Sequence, residues 1–184
     1  MALKPYHYAL MSSGLPEFLD LARVTRQPLE RAGRIRIGTM SRLSAVLSDS
    51  SGEAQVELLA QDDGSGQIIL QGEIRAELTL ICQRCLKPMP QHVRSSFRLA
   101  WVRSEAEAAA MQAETCDPLL SADGRIRLAE LLEDELLLAL PIVALHELEV
   151  CDAGSNTHDA HSEAPVEPAE PNPFAVLEQL KQRR

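Results

Sequence analysis

The sequence predicts an α+β fold: an antiparallel β-sheet, open or curled into a barrel-like form, with a helix packed on it late in the chain. Two observations carry this expectation. Between residues 54 and 101, three successive runs alternate apolar and polar residues, the period-two pattern of half-buried antiparallel strands. Residues 128–140 then change to a Leu-, Glu- and Ala-rich stretch that stops before Pro141, the composition and punctuation of a helix. Beyond Cys151 a third feature appears, a Pro-, Ala-, Glu- and Ser-rich stretch without periodicity.

In chain order, segment 15–47 reads as irregular to helical. Gly33 and Gly38 bracket Arg34-Ile35-Arg36-Ile37, whose alternation suits a short strand. Thr39 or Ser41 is placed to cap a short helix through Leu47. Ala54, Val56, Leu58 and Ala60 then share one strand face, which ends at the turn cluster Asp62-Asp63-Gly64-Ser65-Gly66. Ile68–Leu70 resumes the sheet and Gly72 interrupts it. Ile74, Ala76, Leu78, Leu80 and Cys82 next oppose Glu73, Arg75, Glu77 and Thr79 across a second strand. A third strand sets Val93, Phe97, Leu99 and Trp101 against His92, Arg94, Ser96 and Arg98. Ser104 is a candidate N-cap for a short exposed helix over 104–114, and Gly124–Arg127 suits one more short strand. On helix 128–140, Glu130, Glu133 and Asp134 are spaced to share a face.

This gives three regions. Residues 1–151 form the α+β domain. Residues 152–171, poor in apolar side chains and rich in acid, are expected to be a disordered linker. Residues 172–184 form a short amphipathic helix opened by Asn172 and Pro173, with Phe174, Leu177 and Leu180 as a one-sided stripe for a partner. A helix this short is marginal alone in water.

Composition narrows the function classes. No apolar run approaches the roughly 18 residues that a bilayer span requires, and residues 1–20 do not read as an export signal. A cytoplasmic protein is expected, with no membrane partner. Its four cysteines, Cys82, Cys85, Cys116 and Cys151, are then free thiols or metal ligands rather than disulfides. Aromatic residues make up only 3% of the chain, too few for a binder that works mainly by stacking bases. The net charge of −9 is unevenly placed: residues 1–103 hold 13 Lys and Arg against 10 Asp and Glu, and residues 104–184 hold 5 against 17. No Walker A, dinucleotide glycine motif, HExxH or nucleophile elbow occurs, so neither an active site nor a small-molecule substrate is expected.

Two constellations remain. Cys82-Gln83-Arg84-Cys85 lies in the connection between two strands. Two thiols at this spacing are half of a structural zinc site; the residues left to complete it are His146, Cys151, His158 and His161, and His146 and Cys151, five apart, give the set Cys82, Cys85, His146 and Cys151. The alternative is a pair of unmetallated thiols. A thioredoxin-like role needs a strand-to-helix junction, which this hairpin does not offer. The second constellation is basic. Arg84 and Lys87 lie on the connection and Arg94 and Arg98 on an outward strand face, residue types suited to RNA phosphates and bases. The alternative there is an ordinary solvated face, with Arg94 or Arg98 paired across the strands to Glu77. The acidic face of helix 128–140 reads either as a solvated face or as a site for Mg²⁺ or a basic partner.

Three motifs in order, Cys-Gln-Arg-Cys-Leu-Lys-Pro (82–88), Glu-Asp-Glu-Leu-Leu-Leu-Ala-Leu-Pro-Ile-Val (133–143) followed by His146 and Cys151, and Asn-Pro-Phe-Ala-Val-Leu-Glu-Gln-Leu-Lys (172–181), resemble the YceD family. These are the large ribosomal RNA subunit accumulation proteins of bacteria and plastids. Residues 1–50 are the loosest part of the likeness. The resemblance implies a non-enzymatic ribosome-biogenesis factor that supports synthesis, processing or accumulation of large-subunit ribosomal RNA, by binding precursor RNA or an assembling ribosomal protein. Some relatives carry further C-terminal cysteines suggestive of zinc, a second pair this chain lacks. Two other classes stand beside this reading. One is a protein–protein adaptor working through the acidic tail and terminal helix; the other is a small zinc- or thiol-dependent factor.

Overall fold

The computed structural model describes residues 15–24, 27–111, 116–147 and 150–151. The acidic linker and the terminal helix with Phe174, Leu177 and Leu180 lie outside them.

Three long strands dominate: β3 (Glu53–Asp62), β4 (Ile68–Ile81) and β5 (Pro88–Val102). Flanking them are β2 (Leu29–Arg36) on one side and β6 (Asp117–Leu120) on the other, giving the sheet order β2-β3-β4-β5-β6. Two further strands, β1 (Phe18–Asp20) and β7 (Arg125–Arg127), pair with each other as a separate ribbon. The helices are α1 (Ser41–Val46), α2 (Glu105–Ala110) and α3 (Leu128–Ala139). The fold is α+β, and the larger sheet is open, with β2 and β6 as its edges.

Alternation sets which face is buried. Ala54, Val56, Leu58 and Ala60 of β3 lie on the core face with Leu70, Ile74, Ala76 and Leu78 of β4 and Val93 and Leu99 of β5. Helix α3 covers this face with Leu128, Leu131, Leu132 and Leu136, joined by Leu43 of α1 and by Leu19 and Leu21 from the β1 segment. At one end of the opposite face, Cys116 and Met111 pack on Ile69 and Ala100.

Several expectations needed revision. Gly72 does not break the sheet: β4 runs through it, and a Cβ there would collide with the Phe97 ring and approach Leu58 Cδ2 to 2.7 Å. The missing side chain is what lets Phe97 cross the strand. The segment expected to be irregular to helical contains β1, and β2 begins well before Gly33. Strand β6, which the sequence did not announce, pairs with β5 in parallel register, Leu99 opposite Asp117 through Val102 opposite Leu120. Ser104 does cap α2, accepting from the Glu107 backbone N–H at 3.2 Å.

Neither Thr39 nor Ser41 caps α1. The cap comes from 90 residues away, where Glu133 Oε1 accepts the backbone N–H groups of Arg42 (2.6 Å) and Leu43 (3.0 Å). Glu133 Oε2 receives the Arg42 guanidinium at 2.9–3.0 Å. Arg42 also reaches Asp134 (2.6 Å), and Glu130 is taken by Arg127 (2.9 Å). The supposed acidic face of α3 is therefore largely engaged by arginines of this chain, and Glu133 is buried.

Candidate functional site

The β4–β5 hairpin positions both constellations. Its distal end extends past the last residue of β4 paired with β3, Arg75, and closes in the turn Cys82–Lys87. Cys82 N–H donates to the Lys87 carbonyl (2.9 Å) and Leu86 N–H to the Cys82 carbonyl (2.9 Å). Leu86 takes φ 60°, the left-handed conformation that completes so tight a turn.

Strands alone would leave this tip in solvent, but the chain beyond α3 returns to it. Gln83 N–H donates to the Ala144 carbonyl (2.8 Å), and the Arg84 guanidinium donates to the His146 carbonyl (3.3 Å). His146 N–H points at the Cys82 sulfur (3.4 Å), and His146 Nδ1 lies 3.3 Å from the Cys85 sulfur. Cys151 arrives buried beside them. The ligand atoms of Cys82, Cys85, His146 and Cys151 all lie within 4.8 Å of one another.

The electrostatics of the two turn thiols diverge. Burial opposes ionisation of Cys82, yet the backbone N–H groups of Cys85, His146 and Arg84 surround its sulfur and outweigh that cost, lowering its pKa to about 5. Cys85 receives the Lys87 N–H, which favours its thiolate, but burial and the neighbouring sulfurs of Cys82 and Cys151 push it above the ordinary thiol value. Cys116 lies elsewhere, in the small cluster with Ile69 and Ala100.

The basic constellation divides. Arg94 and Arg98 both stand exposed on the outer face of β5. Arg94 is held by Glu73 at 2.8 Å, not by Glu77, and Arg75, opposite Arg94 in register, shares the same carboxylate. The Arg75 guanidinium, with Arg94 beside it, holds the Glu73 carboxyl below its usual range despite partial burial. Glu77 faces His92 instead, at 3.8 Å. Arg98 sits across from Gln71 and makes no ion pair among the described residues. Arg84 is partly consumed in docking His146, while Lys87 is exposed at the turn.

A second basic feature escaped the sequence reading. On the β1–β7 ribbon, the guanidiniums of Arg125 and Arg127 lie 4.6 and 5.8 Å from the centre of the Phe18 ring. Phe18 also borders a groove of about 370 Å³ that includes Arg23 and Arg31. The Arg-Ile-Arg pattern was visible; its pairing with a three-residue strand more than a hundred positions upstream was not.

A family model described as large ribosomal RNA subunit accumulation protein YceD matches residues 70–181, from the middle of the sheet through the cysteine turn, His146 and Cys151 to the terminal motif. The protein of that description from Haemophilus influenzae is 31% identical over 171 residues, covering 92% of this chain and 97% of that one. The chain belongs to the YceD family. No solved structure matches it. The YceD match thus takes in the β5 arginines, the cysteine turn and the segment that docks on that turn.

Proposed function

We propose that this chain supports the accumulation of large-subunit ribosomal RNA as a non-catalytic binding protein in the cytoplasm, holding precursor RNA through the β4–β5 hairpin. Family membership over nearly the full length carries the ribosomal half of the reading. The hairpin half is supported by exposed Arg98, Arg94 and Lys87 on one long element, with Arg84 at its turn. Glutamates intersperse with the arginines on this face, so binding relies on a few guanidinium contacts rather than on a broad positive field. Crosslinking and rescue test both halves. In cells depleted of the protein, the ratio of large- to small-subunit ribosomal RNA falls and the wild-type chain restores it. Ultraviolet crosslinking recovers large-subunit precursor RNA with the wild type, and several-fold less with the double variant Arg98→Glu, Lys87→Glu. An unchanged ratio on depletion removes the ribosomal reading; undiminished crosslinking of the variant removes the hairpin.

One observation favours a ribosomal protein as the partner instead. Leu138, Ile142, Val143 and Leu145 stand exposed along the end of α3 and the segment after it, Ile142 at 98%. Apolar side chains concentrated in this way commonly mark a protein contact. Protein rather than RNA in the crosslinks, lost on Ile142→Asp, supports that reading.

A further inference from the structure

We propose that Cys82, Cys85, His146 and Cys151 bind one zinc ion, which staples the chain beyond α3 to the tip of the β4–β5 hairpin. Three independent features of the geometry point to a metal. First, the four ligand atoms come from two places about 60 residues apart, yet all lie within 4.8 Å of one another. A tetrahedral zinc site, with Zn–S of about 2.3 Å and Zn–N of about 2.0 Å, needs ligand separations of about 3.5–3.8 Å. Shifts of each ligand atom by a fraction of an ångström therefore bring the four into range of one ion.

Second, the turn and the returning segment aim backbone N–H groups at the sulfurs. Those of Arg84, Cys85 and His146 face the Cys82 sulfur, the last at 3.4 Å, and that of Lys87 faces the Cys85 sulfur. Such donors orient metal-bound thiolates and spread their charge. Third, the donor atoms brought together are of the types that hold a metal. Three sulfurs and an imidazole form a borderline-soft, four-coordinate donor set that matches zinc and leaves no position for a substrate. The role is therefore structural. Binding displaces the thiol protons to solvent and leaves the imidazole neutral, coordinating through one ring nitrogen.

The position explains why a staple is useful. Among the described residues, segment 141–147 includes Ile142, Val143 and Leu145, all exposed, and has no helix or strand. Its attachment is through Ala144 and His146 to the turn. A metal adds an anchor at each end of 146–151 and fixes where those apolar side chains are displayed.

Elemental mass spectrometry of the full chain, purified without chelators, tests this directly: about one zinc per chain is expected. Cobalt added to the chelated, reduced protein should give the intense near-ultraviolet thiolate charge-transfer band and the visible bands of a tetrahedral site. Cys85→Ser and Cys151→Ser should each lose zinc or bind it at least tenfold more weakly, whereas Cys116→Ser should keep it. Absence of zinc after purification and after reconstitution, or cobalt spectra of an octahedral, thiolate-free ion, overturns the proposal. So does full zinc retention with undiminished affinity in both ligand variants. Should those variants fail to fold, the wild-type stoichiometry and cobalt spectrum decide it alone. Neither measurement depends on RNA, so failure here leaves the ribosomal reading standing.

Discussion

Glu133 shows how one side chain can join two elements. Its residue is 5% exposed, and its carboxylate accepts two backbone N–H groups at the start of α1 as well as the Arg42 guanidinium. Burial raises the pKa of such a carboxyl, but the Leu43 and Arg42 donors outweigh it and hold Glu133 below the ordinary value of 4.5. Removing the carboxylate leaves buried donors without an acceptor, so Glu133→Ala should cost about 2 kcal/mol in urea unfolding, near the upper end for loss of a cap. The pH consequence has a definite sign. A carboxyl with a depressed folded-state pKa contributes stability above its unfolded value, and that contribution is lost as pH falls through the folded value. Stability should therefore decline below about pH 4.5, and Glu133→Gln should flatten that decline while lowering stability at neutral pH. The spacing of Glu130, Glu133 and Asp134 was legible in the sequence. Which way each points was not, because no local rule ties residue 133 to an arginine 91 positions earlier.

The strands show where local pattern suffices and where it fails. β3, β4 and β5 were readable because each is long enough for alternation to repeat and each buries one face. β1 and β6 were not. Three and four residues hold too little alternation, and Pro118 within β6 argues against a strand unless it lies on an edge, as it does. Gly72 interrupts the alternation in the sequence, but in the fold its absent side chain is the room Phe97 occupies. Gly72→Val should destabilise the domain by about 2 kcal/mol, the usual range for overpacking, measured by thermal or urea unfolding. A companion Phe97→Leu should recover part of that loss; additive losses would mean the glycine serves something other than the ring. At the turn, the meeting of Cys82, Cys85 and Cys151 with His146 was legible for a different reason: CxxC fixes two members, and few other ligands follow it in sequence.

On the scale of the whole molecule, charge and connectivity matter more than any one contact. Arginines and glutamates alternate on the outer sheet face, with Glu73 shared by Arg75 and Arg94. RNA association through the hairpin should therefore weaken only modestly with salt, with a slope set by about two or three phosphate contacts. A filter-binding series from low to physiological salt measures this; a much steeper slope would move the contact to a more basic surface. Among the described residues no helix is long and apolar enough to cross a membrane. If zinc staples the hairpin to the following segment, a strong chelator should lower the melting temperature and open the chain near residues 141–151 to protease, leaving the sheet intact.

The pairing pattern also sets an order of assembly during synthesis. Strands β2 to β5 each pair antiparallel with their sequence neighbour, β2 and β3 across the connection that holds α1 and the others as hairpins, so this meander can close as soon as residue 102 has left the ribosome. β1 must wait for its partner β7, with Phe18 opposite Arg127, and α1 waits for its cap from Glu133. The N-terminal segment is thus made first and locked last. During that interval Leu19, Leu21 and Leu43, all later buried, are exposed on the nascent chain. Pulsed hydrogen exchange on refolding should find amides of 55–100 protected before those of 19–21 and 42–43.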